Sequence, residues 1–135
     1  MAQPISDTGS SIQTERKRIA PDQLLDQVEG FRLHANRRLQ PDRKAAWGQF
    51  LTPAPVAHLM ASAVTSPDER VHILDAGAGV GTLFAALVSE LISRDQKPAY
   101  IIVTAIERDE TMATYTAQTL KLCEAACHEV GVIFP

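Results

Sequence analysis

The chain has 135 residues, an apolar fraction of 45% and a formal net charge of −3. That length holds one small domain at most, with enough apolar content for a modest core. No run approaches membrane-spanning length, the first residues lack the apolar heart of a signal peptide, and the two cysteines build no disulfide framework, so a reducing, cytoplasmic setting is expected.

Residues 1–20 read as a polar tail, expected to be flexible. From Glu15 to Lys44 basic residues (Arg16, Lys17, Arg18, Arg32, Arg37, Arg38, Arg43 and Lys44) outnumber acidic ones, while the remainder is acidic. A basic arm of this kind can follow nucleic-acid phosphate, and a solvated helix face explains the same residues. Residues 21–46 read as a helical segment. Within it Asp22 to Leu39 predicts an amphipathic helix with Pro21 in its first turn, Leu24, Leu25, Val28, Phe31 and Ala35 at helical spacing, and Pro41 as its stop.

Gly48-Gln49-Phe50-Leu51-Thr52-Pro53 follows. Pro53 and Pro55 force extended backbone before them and place a helix start near Pro55. Val56 to Val64 is then expected to be helical, with Val56, Leu59, Met60 and Ala63 on its apolar face. Thr52 stands where it can cap that helix or present a hydroxyl and amide at its entrance.

The most informative stretch is V-H-I-L-D-A-G-A-G-V-G-T, Val71 to Thr82. Val71 to Leu74 reads as a buried strand ended by Asp75. Gly77, Gly79 and Gly81 then carry the chain round a tight turn into a helix from Thr82 to Arg94, whose N-terminal N–H groups face the turn. This is the grammar of a nucleotide-type cofactor site. A dinucleotide fingerprint spaces its glycines G-x-G-x-x-G, whereas here Thr82 takes the third position and Asp75 stands at the turn's entrance. A fixed carboxylate opposes pyrophosphate and favours a cationic ligand such as S-adenosylmethionine.

Tyr100 to Ile106 predicts a second buried parallel strand ending at Glu107, an acid placed to accept ribose hydroxyls. Asp109 can cap a further helix carrying Met112, Tyr115, Thr119, Leu122 and Ala126 along one side, with Gly131 as its stop. Cys123 and Cys127 lie one turn apart on it, but no second ligand cluster exists, so buried thiols are expected and no metal site. Val132 to Phe134 begins a third strand.

G-Q-F-L-T-P, then V-A-H-L-M, then I-L-D-A-G-A-G-V-G resembles the amino-terminal part of the N6-adenine DNA methyltransferases of restriction–modification systems. The likeness runs from Trp47 to the C-terminus and is nearest to the group whose cofactor motifs precede the catalytic motif. It implies that Phe50, Thr52 and Pro53 shape the pocket for the methionine carboxylate, and that Asp75, Ala76, Gly77 and Gly79 line the methionine and ribose portion. Glu107 takes the place of the ribose-binding acid. The family usually follows that acid with an apolar residue against adenine. Here Arg108 stands there, and its aliphatic stem or planar guanidinium can cover the ring.

The family's catalytic motif, Asn-Pro-Pro followed by an aromatic residue, holds a flipped-out adenine. The chain's only asparagine, Asn36, precedes Arg37 and Arg38, so no catalytic residue is assigned. The expected fold is α/β: the first three parallel strands and helices of a Rossmann-like methyltransferase domain over residues 47–135, truncated, preceded by the helical segment. The Val71 strand is expected at one edge, the Tyr100 strand beside it and the Val132 strand outermost. The expected function is S-adenosylmethionine binding within a DNA adenine methyltransferase inactive by itself. DNA is the expected partner, with a downstream polypeptide as a second candidate and no membrane. Other readings are a non-catalytic regulatory module, a methyltransferase acting on protein or small molecules, and a nicotinamide-binding fragment, against which Asp75 and Thr82 argue.

Overall fold

A computed structural model describes residues 19–42, 44, 50–65 and 68–135. The expected tail up to residue 18, Arg43, Trp47 where the family likeness begins, and Gly48 and Gln49 of the first motif lie outside the described residues. Ile19, assigned to the tail from sequence, is 3% exposed and packs in the core.

Helix α1 (Pro21–Arg38) starts on Pro21, which suits a first turn because its missing N–H needs no partner there. It buries Leu24, Val28 and Ala35, the spacing of a single inward stripe. Helix α2 (Ala54–Ser62) follows, then strand β1 (Arg70–Ala76), helix α3 (Thr82–Ser93), strand β2 (Tyr100–Ile106) and helix α4 (Glu110–Glu129). β1 extends through Asp75, which sequence had placed at its end.

The strands pair in parallel from Arg70↔Tyr100 to Ala76↔Ile106, so their C-terminal ends stand side by side. Alternation sends Val71, Ile73, Ile101 and Val103 into or against the core, where Phe84, Val88, Leu91 and Ile92 of α3 meet α1 and α4. Leu74 and Ile106 lie on the opposite face and are 68% and 56% exposed, and His72 there hydrogen-bonds Thr104 across the pair at 2.9 Å. Among the described residues, helices thus cover one face only.

The expected third strand is reduced to a single parallel bridge, Tyr100↔Ile133, in which Ile101 N–H donates to Ile133 O and Ile133 N–H donates to Ala99 O. Its position beside β2, away from β1, follows the expected order. Gly131 adopts φ +76 just beyond α4, the left-handed conformation that ends a helix. Cys123 and Cys127 are free and buried, and burial pushes the Cys127 thiol up to about 12 and Cys123 well above its ordinary value.

Two expectations for α2 are corrected. Its inward face is Ala57 and Ala61, which meet Ala86 of α3, whereas Val56, Leu59 and Met60 are 48%, 71% and 55% exposed. Only small side chains allow the two helices to approach so closely. The cap is also not Thr52. Pro53 occupies the N-cap without a side-chain bond, and the Ala54 N–H donates to Glu29 Oε2 of α1 at 3.1 Å.

Candidate functional site

The candidate site lies where β1 and β2 end. Gly77, Gly79 and Gly81 adopt φ +86, +59 and +90, so the turn needs residues without a Cβ at every second position. The turn is stitched to the end of β2: Ile106 O accepts the N–H groups of Gly77 at 2.7 Å and Ala78 at 3.0 Å. One residue further, the Glu107 carboxylate spans two segments. Its Oε2 accepts the Gly79 N–H at 2.7 Å and its Oε1 accepts the Asp109 N–H at 2.8 Å. Asp109 caps α4 through the Met112 N–H, as expected from sequence.

The first motif lies against the same turn. A Cβ built on Gly79 would stand 3.0 Å from Leu51 Cδ2, so Leu51 brings Phe50 to Pro53 alongside the glycines. Phe50 is 76% exposed, Thr52 is half-buried and Pro53 is exposed. Ala76 and Arg108 are exposed at the strand ends.

Asp75 is half-buried beside the turn, and its Oδ2 has no hydrogen-bond partner among the described residues. Burial raises its carboxyl above the ordinary value, the Phe84 N–H acts in the other direction, and the charge of Glu107 raises it further. Asp75 therefore lies within the field of the Glu107 carboxylate. The site also contains residues that sequence reasoning missed. Thr116 and Thr119 of α4 donate to the carbonyls of Gly79 and Val80, each at 2.6 Å, and Leu51 and Glu29 seat the first motif. In sequence these read as ordinary helix, loop and surface positions.

Comparison with known proteins bears on this arrangement. The family model described as N-6 DNA Methylase matches residues 36–133. The chain belongs to the N-6 DNA methylase family. Among curated relatives, the type II methyltransferase M.PstI of Providencia stuartii is 35% identical over 119 residues, covering 88% of the chain and 23% of the relative. The type II methyltransferase M.BsuBI of Bacillus subtilis is 36% identical over 102 residues, covering 74% of the chain and 19% of the relative. The chain thus spans about a quarter or less of the length of these relatives. No solved structure gives a significant match.

Family membership implies a methyl donor, and the donor set can be tested for fit. The N–H groups of Gly77, Ala78 and Gly79 are engaged by β2 and Glu107, and that of Gly81 donates to Ala78 O at 2.8 Å. The turn therefore offers few free donors to an anion. Beside the turn stand two carboxylates, that of Glu107 and the half-buried one of Asp75, whose Oδ2 is buried without a hydrogen-bond partner among the described residues. That chemistry suits a cation.

Among the described residues no group of three or more His, Cys, Asp or Glu side chains is arranged to hold a metal, and no helix is long and apolar enough to cross a membrane.

Proposed function

We propose that the site binds S-adenosylmethionine and that the chain is the cofactor-binding portion of a DNA adenine N6-methyltransferase of the restriction–modification type. The observation that carries this reading is the hydrogen bond from Gly79 N–H to Glu107. It ties a carboxylate directly to the glycine turn, beside the second carboxylate of Asp75. A sulfonium and an ammonium group beside Asp75 and Glu107 gain what an anion would lose.

In this reading Glu107 holds the glycine turn through one lone pair of each oxygen and accepts ribose hydroxyls through the others. Asp75 supplies negative charge toward the methionine ammonium group, with its buried Oδ2 left unpartnered by the described residues. Phe50, Thr52 and Pro53 close over the carboxylate end, Ala76, Gly77 and Gly79 leave room for the ligand, and the Arg108 stem covers adenine. The cofactor, when bound, supplies an electrophilic methyl group.

The 135 residues contain no Asn-Pro-Pro sequence to hold adenine N6. Orientation of a reacting amine is worth roughly 7–11 kcal/mol in well-positioned systems. The chain by itself therefore does not methylate DNA. We propose that β1, in a complete enzyme of Rossmann-like order, is central, and that strands pairing with it, on the same or a second polypeptide, supply the catalytic groups.

Calorimetric titration with S-adenosylmethionine, its demethylated product and NAD tests the cofactor. Binding of the first two in preference to NAD is expected, and equal or tighter NAD binding overturns the assignment. Labelled methyl donor with adenine-rich DNA tests the chemistry, and transfer by the chain alone would sink the claim of inactivity.

A further inference from the structure

Helix α4 contains two buried threonines whose hydroxyls reach out of their own helix. Thr116 and Thr119 are 6% and 0% exposed and share one helix face. A helical threonine ordinarily returns its hydroxyl proton to the carbonyl four residues back. Met112 O does lie 3.1 Å from Thr116 Oγ1, but a hydroxyl has one proton and Gly79 O is nearer, at 2.6 Å. Thr119 Oγ1 donates to Val80 O, also at 2.6 Å. Two successive peptide groups of the glycine turn are thus held from a different helix.

Restraint matters at these positions because glycine provides none. The φ values of +59 at Gly79 and +90 at Gly81 are reached without a Cβ, and the same freedom lets the adjoining peptides turn over. A trans peptide is planar, with C=O and N–H pointing in opposite directions. With both oxygens tied to α4, the N–H groups of Val80 and Gly81 are directed the other way. A flipped peptide would break the bond from Gly81 N–H to Ala78 O at 2.8 Å and change the backbone surface that the ligand meets.

We propose that Thr116 and Thr119 are positioning residues for the cofactor, fixing the peptide groups between Gly79 and Gly81 so that their carbonyl dipoles point at α4. The proposal rests on the assignment of this turn to S-adenosylmethionine. Neither side chain touches the ligand; both act through the backbone that does.

Paired substitutions in the full chain separate the hydroxyl from the methyl group. Thr116→Val with Thr119→Val keeps the shape and removes both protons, while Thr116→Ser with Thr119→Ser keeps the protons and removes the methyls. Two readouts are needed: amide hydrogen exchange of the ligand-free chain, and calorimetric affinity for S-adenosylhomocysteine. The valine pair, which loses both hydrogen bonds, should exchange the amides of residues 79–81 faster and bind more weakly by about tenfold or more, while the β2 amides exchange as before. The serine pair should match the parent in both.

Parent-like affinity in the valine pair, with or without faster exchange, overturns the proposal, as does a serine pair as weak as the valine pair. A parent chain that binds no cofactor overturns the proposed function as well, a result distinct from either. Should the valine pair fail to fold, Thr116→Val alone is read by the same criteria.

Discussion

The carboxylate of Glu29 accepts the backbone N–H of Ala54 at 3.1 Å, across 25 residues of chain. Arg32 holds that carboxylate in place with bonds of 2.8 and 2.6 Å from Nε and Nη2. Helix α2 is therefore capped from α1 instead of by its own flank, and the segment from Phe50 to Pro53 is moored by the same contact.

Glu29→Ala should destabilise the chain by about 1 kcal/mol, the usual cost of a lost cap, and should weaken cofactor binding through the loosened first motif. The bond to Arg32 lowers the Glu29 pKa, with the Ala54 N–H adding to the effect and burial opposing it. A lowered acid contributes stability that is present above its ordinary value of 4.5 and is lost as pH falls through the folded value. Thermal melts at neutral and acid pH check this: the gap between parent and variant should close in acid.

Asp75→Asn should act in opposite directions on stability and binding. Burial raises the Asp75 pKa, so its stabilising contribution is full below the ordinary value of 3.8 and is lost as pH rises through the folded value. At neutral pH the free chain should melt higher once the charge is removed. Affinity for the cationic cofactor should fall, by about 1–3 kcal/mol for a lost bond to a charged group. A variant that loses both stability and affinity would show that Asp75 is structural.

Glu107→Ala should leave the Gly79 and Asp109 N–H groups without their acceptor, weakening binding by about 1–3 kcal/mol and loosening the start of α4. Gly79→Val should do more harm. Its backbone is at φ +59, and its Cβ would press on Leu51. Parent-like binding by both variants would move the pocket elsewhere.

Among the described residues nothing covers the sheet face of Leu74 or pairs with the outer side of β1, and the chain should associate as concentration rises, since an unpaired apolar edge invites pairing. Leu74→Lys should suppress that association without lowering the melting temperature, because Leu74 is 68% exposed. Sedimentation across a concentration series distinguishes the two chains. Association unchanged by the substitution would place the contact on another surface.

Much of this architecture was legible because the local signals agreed. β2 runs from Tyr100 to Ile106 as its β-branched composition predicts, and α3 begins at Thr82 because three glycines leave no earlier start. The face of α2 was misread for a physical reason. Val56, Leu59 and Met60 form the more apolar stripe, but Ala57 and Ala61 are the residues that allow contact with Ala86. Hydropathy ranks side chains by transfer energy and is blind to the closeness of approach. The supports of the glycine turn were invisible for another reason. A threonine in mid-helix reads as neutral, and only the fold brings Thr119 to Val80, 39 positions away. The third strand was overcalled because three residues, Val132 to Phe134, supply β-propensity but only one bridge.

The carbonyls of Ala78, Gly79, Val80 and Gly81 accept bonds from Gly81, Thr116, Thr119 and Ala85, so the turn carries its own hydrogen bonds before any ligand arrives. An incoming molecule meets a finished surface at this end of the site. Association governed by the turn should therefore be a single bimolecular step, with an observed rate that climbs linearly with ligand concentration and reaches no plateau. Phe50, 76% exposed, has no such finished surroundings, so any saturating phase in stopped-flow traces should disappear when the first motif is altered and persist when the glycine turn is.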